Sequence, residues 1–130
     1  MANEPKLSEL TRRERQIMDV VYQLEQASAA EVVENLPGEN KNATIRTLLG
    51  VLEDKGFLRH ESVKGKFIYY PTIPLQKAAR AALNQVLETF FKGSEAHAVI
   101  SILKQADASL SDDDAQRILD LIEKSREEGM

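Results

Sequence analysis

The chain of 130 residues has no cysteine. That excludes disulfides, thiolate metal sites and cysteine nucleophiles. No apolar run approaches the roughly 20 residues of a membrane span. The opening MANEPKLSEL also lacks the apolar stretch of a signal peptide. A soluble cytoplasmic protein with no membrane partner is therefore expected. No Gly-rich phosphate loop follows a strand-like run, and there is no nucleophile elbow and no HExxH. The two histidines, His60 and His97, have no partner at i+4. The Asp112-Asp113-Asp114 run lacks the spacing and glycine of a calcium loop. These absences leave no catalytic residues, no metal and no cofactor to expect, and an enzyme is not the reading.

Enough apolar sequence remains for a packed core, with 42% hydrophobic residues. The net charge of −4, taken as an average, counts against a nucleic-acid partner; its distribution is more informative. Residues 1–75 hold 10 Lys/Arg and 11 Asp/Glu, and residues 76–130 hold 7 and 10. Within 41–66 there are 6 cations against 3 anions. This is the one sizeable positive segment.

The segment has a pattern. NATIRTLLGVLEDKG places Ile45, Leu48, Leu49 and Leu52 on one face at helical spacing. The opposite face carries Ala43, Thr47, Gly50 and Asp54, flanked by Thr44, Arg46 and Val51. It is short-chained near its N-terminus, as a surface that presses close to a partner would be. Gly56 ends the helix. FLRHESV, KGK and FIYYPT then read as strand, turn and strand, with Lys64 and Lys66 beside Gly65. Upstream, Thr11-Arg-Arg-Glu14 and Ser28-Ala-Ala-Glu31 are capping boxes. The first opens a helix over about 12–26 that buries Ile17, Val20, Val21 and Leu24. The second opens a short helix burying Val32, Val33 and Leu36, which Pro37-Gly38 stops. Three closely spaced helices and a basic hairpin predict a winged helix-turn-helix over 8–73. The expected recognition helix is about 43–55 and the wing about 57–71. His60 is expected as an exposed wing residue, and Tyr69 and Tyr70 as wing packing.

After Pro74 the character changes. Helices are predicted over 75–91, over 96–105, and from Ser111, where the three aspartates suit a helix N-terminus. The apolar residues Leu83, Leu87, Phe90, Phe91, Val99, Ile102, Leu103, Ile118, Leu119 and Ile122 form stripes too wide for solvent. Three such helices hold too little core to stand alone. Residues 75–128 are thus expected to be half of a dimerisation domain, with His97 on its surface or at the interface. A fold-back onto the N-terminal half is the alternative.

LTRRERQIMDVVYQL, NATIRTLLGVLEDKGFLRH and FIYYP resemble, in order and spacing, the penicillinase-repressor family of BlaI, MecI and CopY. The resemblance implies a homodimeric winged-helix transcriptional repressor on a palindromic double-stranded DNA operator. It places Thr44, Arg46 and Thr47 in the recognition motif. Around them Ala43, Lys41, Arg12, Arg13, Lys64 and Lys66 are further candidate DNA contacts. Arg46 suits either a guanine or a phosphate, and the two hairpin lysines suit phosphates. Asn40 stands where family members often carry tryptophan, and Gly50-Val51-Leu52-Glu53-Asp54 replaces a more basic run. The family also implies a sensor-protease that inactivates the repressor by cutting an Asn-Phe bond. None occurs here; the corresponding region reads VISILKQA, which directs cleavage to another sequence, within 99–105, or induction to a different signal. An acidic winged-helix module that binds protein rather than specific DNA is the alternative function.

Overall fold

The first two α-helix starts are written in side-chain hydrogen bonds, as the computed structural model, which describes residues 5–106 and 109–129, makes plain. After a 3-10 turn at Leu7–Glu9, Thr11 caps α1 (Arg12–Leu24). Its hydroxyl accepts from the Glu14 amide at 3.2 Å, and the Glu14 carboxylate accepts from the Thr11 amide at 2.9 Å. Ser28 and Glu31 repeat this reciprocal pair at the start of α2 (Ala29–Asn35). Both capping boxes satisfy amides that the first helical turn leaves without partners.

Helix α1 is two residues shorter than its periodicity predicts. Glu25 takes φ 72° and ends it. Leu24, expected in the core, is consequently 37% exposed, whereas Met18 is buried. After α2 the amide Nδ2 of Asn40 donates to the carbonyls of Leu36 and Gly38, tying the turn that leads into α3 (Asn42–Asp54).

A three-stranded antiparallel sheet follows in spatial order β1-β3-β2. β2 (Leu58–Val63) and β3 (Lys66–Pro71) form the expected hairpin, with Val63 opposite Lys66. The two-residue turn has positive φ at both Lys64 (52°) and Gly65 (79°). That twist matches the twist of the flanking strands, and glycine reaches it without steric cost. β1 (Ala27–Ser28) pairs with β3 at Tyr69 and Ile68. It has no counterpart in the sequence pattern, because two residues are too few to show alternation. Ser28 serves both as a strand residue and as the α2 cap.

Ile17, Val21, Val32, Ile45, Leu49 and Leu52 meet as the centre of one core, which Leu58, Tyr69 and Ile73 close from the sheet side. The Tyr22 hydroxyl donates to the Ile73 carbonyl at 2.9 Å, and the Thr72 hydroxyl to the Gly56 carbonyl at 2.6 Å. These bonds fix the chain where it leaves the hairpin.

The remaining elements are α4 (Leu75–Phe91), α5 (Glu95–Ala106) and α6 (Asp112–Glu128). Ser111 caps α6 by accepting from the Asp114 amide at 3.0 Å, so the aspartates occupy the first turn, where the helix dipole favours them. The chain divides into two compact units, Met1–Leu83 and Asn84–Met130, with the division inside α4. Among the described residues of the second unit, Ala98 alone is buried. No helix among the described residues is long and apolar enough to cross a membrane.

Candidate nucleic-acid interface

Helix α3 buries Ile45, Leu49 and Leu52 and leaves Lys41, Ala43, Thr44, Arg46 and Thr47 exposed at its N-terminal half. The burial follows from the apolar spacing, and the outer face is the short-chained one. The Thr47 hydroxyl donates back to the Ala43 carbonyl at 3.0 Å, so its methyl is the feature it offers outward. Gly50 has open space around its missing Cβ, and nothing among the described residues requires glycine there.

The charges of this region sort into two groups. Lys55 is spent on the core side: its Nζ lies 2.8 Å from Oε2 of Glu14, which among the described residues is the one charged side chain buried with the core. The Lys55 hydrogen bonds, followed by those from Thr11, hold the Glu14 carboxyl below its usual range. Arg59 pairs with Glu61 at 3.1 Å and lies 4.4 Å over the Tyr70 ring. By contrast Lys41, Arg46, Lys64 and Lys66 make no ion pair among the described residues. Of the anions, Glu53 and Glu61 are engaged, and Asp54 is exposed without an ion pair among the described residues.

His60 differs from expectation. It is half-buried, its Nδ1 lies 2.6 Å from Oε2 of Glu53, and its ring stacks on Phe67 at 4.1 Å. The wing is thereby tied to the C-terminal half of α3. Burial, with a contribution from the Glu53 carboxylate, raises the Tyr69 phenol, and Arg46 opposes that shift. Arg46 shares a cleft with Lys66, Phe67 and Tyr69.

Between α3 and the wing is an open cleft of about 450 Å3. Its walls are residues 28–30, Arg46, and Lys66, Phe67 and Tyr69, with Gly65 at the turn. It contains two cations and no carboxylate. The sequence singled out Arg46 and Lys66 separately; their convergence on one cleft with Phe67 had no signal in linear spacing.

The other candidates lie elsewhere. Arg12, Lys41 and Lys64 are exposed. Arg13 turns back, its Nη1 donating to Gln16 at 2.9 Å and reaching the Pro37 carbonyl at 3.5 Å, so its guanidinium is partly engaged in holding the α2–α3 turn. The ten apolar candidates from Leu83 to Ile122 are all at least partly exposed; Phe90 is 74% exposed. His97 is exposed near the start of α5. Among the described residues, no group of acidic or histidine side chains could hold a metal ion.

A helix pair, a third helix with an exposed short-chained face and a basic hairpin define a winged helix-turn-helix protein of the class that binds DNA to regulate transcription. The chain belongs to the penicillinase repressor family, whose model matches residues 10–124. It is similar, at 27% identity over 107 residues, to an uncharacterized 16.5 kDa protein in the ptsI 3′ region of Latilactobacillus sakei, covering 81% of this chain and 73% of that one. Among solved structures it is similar to Bordetella bronchiseptica BpsR, studied for the regulation of its DNA binding by 6-hydroxynicotinic acid. That match has 17% identity and a TM-score of 0.49, over 91% of this chain and 76% of that one.

Proposed function

We propose that the protein is a homodimeric repressor that occupies a palindromic operator. Helix α3 enters the major groove with Ala43, Thr44 and Thr47 leading, and the wing lies along the backbone. The observation that carries this reading is the sorting of charge. Four cations of the 41–66 segment stand exposed and without ion pairs among the described residues, while Lys55 and Arg59 are neutralised by Glu14 and Glu61. The overall −4 favours an interaction module without DNA specificity, but the local distribution opposes it.

Residues 8–73 form the DNA-binding domain and 75–128 the dimerisation domain in this reading. Two copies joined through α4–α6 present two recognition helices, and a two-fold protein reads a two-fold site. A sensor-protease acting within 99–105 would have to unwind α5, which spans Glu95–Ala106.

The test is fluorescence anisotropy with the DNA upstream of the protein's own gene, against scrambled competitor, at two salt concentrations. Competitor-resistant, salt-sensitive binding with two chains per duplex is the expected result. Indifference between that DNA, genome-selected fragments and scrambled DNA would instead support a protein-binding module.

A further inference from the structure

The cleft between α3 and the wing has a composition that suits one kind of occupant. We propose that it receives a sugar-phosphate unit of the DNA backbone, with Arg46 and Lys66 flanking the phosphate and Phe67 packing against the deoxyribose. The proposal deepens the repressor reading and rests on it.

Four observations support it. First, the two cations that line the cleft make no ion pair among the described residues, and no carboxylate lines it, in a protein of net charge −4. Second, Phe67 is 52% exposed although it lies on the hairpin beside the core. It is braced from behind by the His60 ring at 4.1 Å and by the Tyr69 edge at 6.5 Å. A braced, outward-facing ring suits an apolar contact with a sugar. Third, Ser28 lines the cleft and its hydroxyl accepts from the Glu31 amide, which leaves its O–H as a donor. Fourth, the cleft adjoins the exposed half of α3, so an occupant there is continuous with a duplex whose major groove holds that helix.

Arg46 is thereby assigned to the backbone and not to a base. Phosphate contacts release counterions and base contacts do not, so salt dependence separates the two. Phe67 carries no charge, and its contribution should not depend on salt.

The test uses the full chain and a fluorescein-labelled 30-base-pair duplex of random sequence, titrated from low to moderate salt. Arg46→Gln and Lys66→Gln should each flatten the plot of log affinity against log salt. The expected change is about 0.9 for each phosphate no longer neutralised, and so about 1.8 for a dimer. Phe67→Ala should weaken binding about tenfold at every salt concentration with an unchanged slope, and Phe67→Leu should recover part of the loss. Thermal melts followed by circular dichroism identify any variant that does not fold; if Phe67→Ala is one, Phe67→Leu and the two slopes carry the test. An Arg46→Gln loss confined to operator sequence, with the random-duplex slope intact, would make Arg46 a base reader and overturn the proposal. Parental binding by all the cleft variants would also overturn it, leaving the cleft to another occupant such as a small anion. A parent protein that binds no duplex at all would overturn the repressor reading itself, a result distinct from either.

Discussion

The two units of this chain satisfy their apolar residues in opposite ways. In Met1–Leu83 the large side chains converge: Ile17, Val21, Ile45, Leu49 and Leu52 are fully buried. In Asn84–Met130 they diverge, with Phe90, Ile102, Leu119 and Leu121 all more than half exposed. Exposed leucine is ordinary on a protein surface, but large exposed apolar side chains recurring on three successive helices are a mark of an interface. The first unit builds its core from its own chain. In the proposed dimer, a second copy supplies the apolar surface that completes the second.

The largest expected effect strikes the incomplete unit. Phe90→Asp places a charge in the proposed interface and should separate the chains. Operator affinity should then fall by about 100-fold or more, because the second half-site no longer binds as part of one particle. Anisotropy with the operator duplex measures this, and undiminished affinity would break the comparison.

Next come paired core and surface leucines. Leu49→Ala, in the complete unit, should cost about 2–5 kcal/mol in urea unfolding. Leu119→Ala should destabilise in a way that fades with dilution, because in the proposed dimer its partner atoms belong to another chain. Equal, concentration-independent costs would refute the contrast.

A smaller effect concerns the tie between α1 and the end of α3. Lys55→Met leaves the Glu14 carboxylate buried without its cation, which should cost about 2 kcal/mol. The sign with pH follows from the lowered Glu14 pKa. The folded state holds the proton less tightly than the unfolded state, so this contribution is complete above the ordinary value of 4.5. It is lost as pH falls through the depressed folded value. Urea midpoints between pH 6 and pH 3 should therefore drop less for Lys55→Met than for the parent.

The smallest change is a gain. Gly50→Ala meets nothing within 4 Å and should stabilise α3 by about 1 kcal/mol. The added methyl projects from the same helix as the proposed contact surface, so thermal stability should rise without any gain in DNA affinity.

Legibility in the sequence followed the range of the interactions. Both capping boxes, the α3 faces and the Lys64-Gly65 turn depend on residues within a few positions of each other, and they could be read directly. The Glu14–Lys55 pair spans 41 residues, and nothing local marks it; Lys55 could only be counted as one more cation. His60 likewise reads as a surface residue until the fold brings Glu53 and Phe67 to it. Arg13 reads as a free cation until the α2–α3 turn presents the Pro37 carbonyl. β1 is too short to carry a period, and Leu24 fits the helical stripe but lies where Glu25 ends the helix. The cleft is the extreme case, since α2, α3 and β3 each supply a wall.

Sedimentation equilibrium of the full chain, over a wide concentration range and without DNA, tests the central claim most directly. A particle of twice the 14.6 kDa chain mass, dissociating only at high dilution, is the predicted result. A monomer at all concentrations would contradict the account, because the exposed faces of α4–α6 would then have no second copy to cover them.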